Sequence, residues 1–295
     1  MDRPPDDAVS GRRTLLKRLL PGEDVDELPV IQGQFHQVVI GSDRVVRFAR
    51  TEAAAARLSS RAAVLRVLAD LDLGFRTPEP LLTGGGAPGT DEPPYLVLGR
   101  IPGAPLPGDV LKRPEVAESV AAQYATLLAA LADAGTGADV RAALPHAHED
   151  EWRRFAADVR ADLFGLMSDA GRRRAERELA ALDALPHLTG AVVHGDLGGE
   201  NVLWQDADGW PRLSGVVDWD EVALGDPAED LAAIGASYGR ELMERVLAPG
   251  GRTPADDGIA ARAAALQGTF ALQQALSAYH DDDGAELADG LAGYA

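Results

Sequence analysis

The 295-residue chain contains no cysteine. Disulfides and cysteine-ligated zinc are therefore excluded, and the absence is compatible with a reducing cytoplasm, where the chain is expected to reside. Lysine is nearly absent too. Lys17 and Lys112 are the only two, and arginine carries the remaining positive charge. This is read as a compositional habit of the source genome. No apolar run approaches the roughly 20 residues of a membrane span. The start, Met1-Asp2-Arg3-Pro4-Pro5-Asp6-Asp7, lacks the basic-then-apolar pattern of a signal peptide. The histidines, His36, His146, His148, His187, His194 and His280, show no metal-ligand spacing. Positive charge is scarce overall: the net charge is −19 and the pI near 4.6. Such a surface repels nucleic acid and anionic membranes, so neither is an expected partner, and no segment points to a protein partner. It favours cationic ligands through a salt-screened field, although the same charge also serves plain solubility.

What is present is ordinary for a soluble globular protein, with 46% hydrophobic and 25% charged residues. The length suffices for one large domain or two lobes. There is no internal repeat. The spacing predicts a short amphipathic helix over Arg12–Leu20, then strands between Leu28 and Ala49. Val38-Val39-Ile40 and Val45-Val46-Arg47-Phe48 flank Gly41-Ser42-Asp43, a hairpin signal. A helix is expected over Glu52–Leu71, closed by Gly74 and Pro78, with further strands at Leu81-Leu82 and Tyr95–Leu98. The composition changes at Gly99-Arg100-Ile101-Pro102. Beyond it Val116, Val120, Tyr124, Leu127, Leu128 and Leu131 recur as one helical stripe. Trp152–Leu166, Arg172–Leu185, Leu231–Leu247 and Ile259–Tyr279 are also read as helices. The expectation is an α+β protein with a small β-rich N-terminal lobe, residues 1–99, that binds nucleotide. A larger, mainly helical lobe, residues 100–295, carries the catalytic loop and substrate site. A cleft at the lobe junction is the expected ligand position.

Two strings carry the chemistry: His194-Gly195-Asp196-Leu197-Gly198-Gly199-Glu200-Asn201 and Val216-Val217-Asp218-Trp219-Asp220. A hydroxyl is a poor nucleophile, and a carboxylate such as Asp196 can orient it and take its proton, typically for about 10²–10⁴-fold in rate. Asn201 follows five residues later with a neutral amide oxygen, and Asp218 follows an apolar run. Both are hard oxygen ligands suited to magnesium. Together they have the spacing of a kinase catalytic loop followed by its metal-binding Asp. The blander alternatives are turn or helix caps. His194 is read as a holder of loop geometry. Gly33-Gln34-Phe35-His36 has one glycine rather than three, and fits a phosphate-covering hairpin and an ordinary tight turn equally. Arg47 stands on the strand where kinases place a lysine, and Arg61 stands on the helix where they place its partner glutamate. Arginine forks onto phosphate oxygens and can bind in a different geometry. Glu52 is a possible replacement partner for Arg47, and Arg61 is read as a surface residue. Asp220 fits a metal contact, a substrate contact or a cap. Glu200, Glu221 and Glu229 fit a cationic substrate pocket, and Asp226 and Asp230 fit a helix start.

His194–Asn201, Val216–Asp220 and Gly225-Asp226-Pro227-Ala228-Glu229-Asp230-Leu231 resemble the aminoglycoside phosphotransferase-type antibiotic kinases. Gly33–His36, Asp72–Pro78, Gly89–Leu98, Gln123–Leu128 and Thr269–Leu276 resemble the branch acting on tuberactinomycin peptides such as viomycin and capreomycin. The resemblance runs from about Thr14 to the C-terminus and implies a bilobal, protein-kinase-like fold. It implies transfer of phosphate from ATP, or GTP in its place, with Mg²⁺, to a hydroxyl of a cationic cyclic peptide antibiotic, with a seryl hydroxyl the expected acceptor. The outcome would be antibiotic resistance or self-protection. It maps the catalytic base onto Asp196, metal ligands onto Asn201 and Asp218, and nucleotide contacts onto Gly33, Phe35, His36, Arg47 and a hinge at Leu98, Gly99 and Arg100. Glu200, Asp220 and Glu221 are the substrate-side candidates. The alternatives are an aminoglycoside or macrolide phosphotransferase, or a nucleotide-binding pseudokinase acting as a regulator, which Arg47 and Arg61 would motivate.

Overall fold

The computed structural model describes residues 5–33, 35–86, 92–248 and 258–295. Gln34 of the glycine turn and Gly89-Thr90-Asp91 lie outside them. In chain order the first elements are α1 (Pro5–Leu19), β1 (Val30–Gln32), β2 (His36–Ile40), β3 (Arg44–Ala49), α2 (Glu52–Ala69), β4 (Pro80–Gly84), β5 (Tyr95–Gly99) and β6 (Ala104–Pro105). Then come α3 (Pro114–Ala134), α4 (Ala138–Ala143), α5 (Glu151–Asp158), α6 (Asp169–Asp183), β7 (Ala191–Val193), β8 (Val202–Ala207), β9 (Trp210–Val216) and β10 (Ala223–Gly225). The chain closes with α7 (Ala228–Tyr238), α8 (Arg240–Val246), α9 (Ile259–Gln267), α10 (Phe270–His280) and α11 (Gly284–Gly290). It packs as two compact units. Residues up to Pro105 join Val202–Asp220, and Leu106–Asn201 joins Glu221–Ala295.

The first unit is built on an antiparallel sheet of order β1-β2-β3-β5-β4. Its strands alternate, as β geometry requires. Val46 and Phe48 turn to a core with Val39, Tyr95, Val97 and Leu15, Leu16, Leu19 and Leu20, residues of α1 and its end. Arg47 therefore projects from the opposite face, in the central strand, paired with Val38 on one side and Leu96 on the other. Thr51 caps α2 by accepting the Ala54 N–H at 3.1 Å. The β8–β9 hairpin is tied to this unit through Arg76, whose N–H donates to Ser214 O (3.1 Å) and whose carbonyl accepts the Val216 N–H (2.9 Å).

The second unit is mainly helical. The expected stripe of α3 is buried throughout, from Val116 to Leu131. A separate core joins Val159, Leu163, Leu179, Leu272, Ala275 and Tyr294. The strand pair β7–β10 aligns Val193 with Ala223.

Three expected helices are each broken. The one over Trp152–Leu166 is α-helical only to Asp158. It continues as a π turn over Val159–Leu163 and a 3₁₀ turn over Phe164–Leu166, and the wider turn sets both Val159 and Leu163 in the core. The helix over Leu231–Leu247 is interrupted by Gly239, whose φ of 89° is left-handed and open to glycine without strain. The helix over Ile259–Tyr279 stops at Gly268-Thr269, where the buried Thr269 hydroxyl donates to Leu266 O (2.8 Å) and accepts from Gln273 Nε2 (3.0 Å). Among the described residues, no helix is long and apolar enough to cross a membrane.

One buried ion pair fixes two helices of the second unit. Arg262 of α9 donates from Nε to Asp226 Oδ2 (2.6 Å) and from Nη2 to Oδ1 (3.1 Å). Asp226 Oδ1 also accepts the Ala228 N–H at the start of α7 (3.0 Å). Removing one partner strands a buried charge, which costs about 3–5 kcal/mol. Arg262→Ala is expected to lose about that much stability, read as a lowered urea midpoint.

Candidate functional site

The loop after β7 is held by one carboxylate. Asp230, in the first turn of α7 and 1% exposed, accepts the backbone N–H groups of His194 (2.9 Å) and Gly195 (3.0 Å). Burial pushes its carboxyl above the usual range, although His194 and the two amides pull it down. His194 is fully buried, and its Nδ1 accepts the Asp196 N–H at 3.2 Å. Gly195 has φ 85°, and a Cβ there would lie 2.8 Å from Glu221 O. The loop thus turns outward at Asp196, which is exposed. Asn201 is buried and spends its amide nitrogen on Asp196, donating to its carbonyl (2.8 Å) and to Oδ2 (3.0 Å). That fixes one carboxylate oxygen and assigns the remaining Asn201 function to its amide oxygen.

Beside Asp196 lies a cavity of about 190 Å³ walled by Trp152, Asp196, Glu229, Leu266, Phe270 and Gln273. Burial pushes the Glu229 carboxyl up to about 8, and the neighbouring Asp230, Glu151 and Asp226 add to the shift. Glu229 therefore mostly holds a proton at neutral pH. Glu200 and Glu221 are exposed and stand outside this wall.

The first unit gathers a separate charged cluster. After β9 the chain reaches Asp218 with φ 62°, a left-handed backbone that Asp tolerates at a cost. Trp219 is 2% exposed and donates its indole N–H to Val216 O at 2.9 Å. That anchor leaves Asp218 and Asp220 on either side of a buried ring, both facing Arg47. Arg47 forks onto Asp220, Nη1 to Oδ1 at 3.2 Å and Nη2 to Oδ2 at 2.7 Å. Its Nη2 also lies 3.3 Å from Asp218 Oδ1 and 3.1 Å from His36 Nδ1. A guanidinium only donates, so His36 Nδ1 accepts and its proton sits on Nε2. Burial and the Arg47 charge push the His36 pKa below its ordinary value, so the ring is neutral at pH 7. Its 3.8 Å approach to Asp220 is therefore no ion pair. Burial raises the Asp220 carboxyl, but Arg47, Arg61 and His36 together outweigh it and hold the carboxyl below its usual range.

Arg61 is not the surface residue the sequence reading made it. Its side chain is 22% exposed, with Nε 3.9 Å from Asp220 Oδ1 and Nη1 3.5 Å from Trp219 O. The acid opposite Arg47 draws it in. Glu52 is exposed, and Asp220 takes the place once offered to it as the Arg47 partner. Gly33 closes the β1–β2 turn by donating to His36 O (2.8 Å), and Phe35 stands 53% exposed at its tip. Leu98 is buried. The amides of Gly99 and Arg100 are already engaged, with Glu79 O and Asp43 O at 2.9 Å each.

A family model described as the phosphotransferase enzyme family matches residues 9–266. The chain belongs to that family. It is 70% identical over 286 residues to the viomycin phosphotransferase of Streptomyces vinaceus, covering 97% of this chain and 99% of that one. Among solved structures, it is similar to a GDP complex of aminoglycoside 2'-phosphotransferase-IIIa, with TM-score 0.81, 18% identity and 96% of each chain covered. It is also similar to macrolide 2'-phosphotransferase type I, with TM-score 0.70, 25% identity, 100% of this chain and 99% of that one covered. The kinase-like fold and the enzyme class follow: this is a phosphotransferase. A nucleotide accompanies the fold in the GDP-bound relative.

The family strings thus fall in two clusters. Asp196 and Asn201 meet in one, with Asp230 as their hidden support. Arg47, His36, Asp218 and Asp220 meet in the other. Trp152 gave no sequence signal beyond helical spacing, and Phe270 and Gln273 were visible only as members of the Thr269–Leu276 string. Glu229 was visible only as one acid among several.

The raised Glu229 carboxyl has a stability consequence. Between its ordinary value near 4.5 and about 8, the folded protein holds a proton that the unfolded chain has released. Stability therefore falls as pH rises through that window. Glu229→Gln removes this slope. The variant is expected to gain stability over the parent as pH rises from 5 to 8, measured as the difference in urea midpoint at the two pH values.

Proposed function

We propose that this enzyme transfers the γ-phosphoryl group of ATP, or of GTP, to a hydroxyl of a tuberactinomycin peptide antibiotic of the viomycin and capreomycin type. Inactivating the drug would confer resistance or self-protection. The observation that carries the reaction is Asp196, an exposed carboxylate on a loop whose backbone is pinned from beneath. Kinship with viomycin phosphotransferase over nearly the whole chain supports the substrate class.

In this reading the substrate hydroxyl meets the carboxylate oxygen of Asp196 that Asn201 leaves uncovered. The oxygen attacks the γ-phosphorus as its proton passes to Asp196, and the bond to the β-phosphate breaks, releasing nucleoside diphosphate. Asn201 keeps Asp196 from rotating. Arg47 provides a fixed guanidinium for phosphate oxygens, and Gly33, Phe35, His36 and the Leu98–Arg100 stretch bound the nucleotide. The donors present fit magnesium. Asn201 offers an amide oxygen and Asp218 a carboxylate half exposed to solvent. Among the described residues no three or more His, Asp or Glu cluster around a metal position, so the phosphates and water would complete the shell. Bound there, the metal would neutralise charge on the phosphates. Glu229 gives the cavity beside Asp196 an acid without a cationic partner among its neighbours' charges. A strongly basic peptide would satisfy it, and the −19 net charge favours such a substrate's approach.

Asp196→Ala is expected to lower turnover by at least about 10²-fold while magnesium–ATP still binds. The check is mass spectrometry of viomycin and capreomycin after incubation with enzyme and nucleotide. One added phosphoryl group on the drug, lost in the variant, supports the reading. Modification of an aminoglycoside or macrolide instead would overturn the substrate and keep the enzyme class.

A further inference from the structure

The cluster around Arg47 reverses the polarity expected of a kinase anchor. There the strand carries a cation and the helix an acid. Here the strand carries Arg47 and helix α2 carries Arg61, while the acid is Asp220, two residues after Asp218. The two cations differ in how firmly they are held. Arg47 is fixed by a two-point fork and only 13% exposed. Arg61 has no contact in this cluster shorter than the 3.5 Å to Trp219 O. The fork takes one lone pair on each oxygen of Asp220, and at 3.9 Å Arg61 makes no hydrogen bond to the remainder. The charges nevertheless balance, with two arginines against Asp218 and Asp220. Once Asp218 is committed to a metal, one positive charge is in surplus, and the looser arginine is the one able to move.

We propose that Arg61 is a second phosphate anchor for the nucleotide, and that Asp220 is a positioning residue that holds both arginines rather than a contact for the antibiotic. This deepens the proposed reaction and rests on it. Asp220 keeps Arg47 rigid and holds Arg61 nearby without satisfying it, so an incoming triphosphate oxygen replaces a weak contact and breaks no strong one. An electroneutral cluster also avoids two bare guanidiniums repelling each other before nucleotide arrives.

The test measures magnesium–ATP affinity by calorimetry in the absence of antibiotic, alongside steady-state kinetics with viomycin. Arg61→Gln is expected to weaken nucleotide affinity about tenfold, one guanidinium–phosphate contact, with the antibiotic KM unchanged. Arg61→Lys should recover part of the loss. Asp220→Asn should lower kcat and raise the KM for ATP, again sparing the antibiotic KM, and Asp220→Glu should restore part of both. Nucleotide affinity within twofold of the parent in Arg61→Gln overturns the inference. So does a raised antibiotic KM with unchanged ATP affinity in either variant. Arg61→Gln keeps the test valid should Asp220→Asn fail to fold. If the parent protein itself binds no nucleotide, the proposed reaction fails and this inference with it. A parent that binds ATP independently of Arg61 sinks this inference alone.

Discussion

A single buried carboxylate sets the geometry of the loop that carries Asp196. Asp230 accepts two consecutive backbone N–H groups, those of His194 and Gly195. Burying a charge or leaving an amide unsatisfied would each cost several kcal/mol. Together the two groups cancel most of that cost, and the two bonds tie consecutive amides to one side chain. The consequences run outward along the chain. Fixed amides at positions 194 and 195 fix the buried imidazole, which takes the Asp196 N–H. A left-handed Gly195 then swings Asp196 to the surface, where Asn201 sets its rotamer. The Asp196 carboxylate is exposed, while His194, Asn201 and Asp230, which hold it, are buried. The position of Asp196 thus rests on α7, through the carboxylate of Asp230.

The arginine cluster solves a similar problem by other means. Nothing from α2 pairs tightly with Arg47. Its partner comes from the segment that carries Asp218, and Trp219 between the two acids is sunk into the unit as an anchor. A β-strand projects alternate residues to opposite faces, so Val46 and Phe48 on the core side dictate that Arg47 emerges on the other. The strained backbone at Asp218 and the anchored indole then bring both carboxylates to that guanidinium. The pairing that a helix acid would supply across the sheet is supplied instead within a three-residue stretch.

How much of this was legible depended on whether the signal was local. The hairpin around Gly41 and the buried stripe of α3 are written in consecutive residues, and they stand in the structure as read. Helix breaks were harder. Gly239 looks like any tolerated helical glycine until its φ is known, and the π turn at Val159–Leu163 leaves the apolar spacing almost unchanged. Long-range pairings were out of reach. Arg47 and Asp220 are separated by 173 positions, and no periodicity links them. Arg61 therefore read as a surface arginine, since its only reason for turning inward is an acid far along the chain. Glu229 and Asp230 show the same limit at one step's separation. The sequence presents two adjacent acids at a helix start, while burial makes one a structural acceptor and the other a protonated wall of a cavity.

In an acidic chain, arginines and acids gathered at one point answer to near charges rather than to the net charge, and distance is the reason. At physiological salt, exposed charges farther apart than about 8 Å are largely screened, so the surplus of acids acts mainly as a diffuse field. Within 3–4 Å and partly shielded from water, one ion pair is worth about 4 kcal/mol of Coulomb energy at an effective dielectric near 20. The Arg47–Asp220 pair works at that range, where neighbouring charges outweigh the diffuse field. Beside Asp196 the balance is different. Glu229 is surrounded by Asp230, Glu151 and Asp226, and with no cation among the influences on it, the carboxyl keeps its proton well above its ordinary range. A cationic group placed beside such a carboxyl would favour the ionised form and release its proton. Burial among like charges thus raises the Glu229 carboxyl, whereas the two arginines beside Asp220 more than offset its burial and hold that carboxyl down.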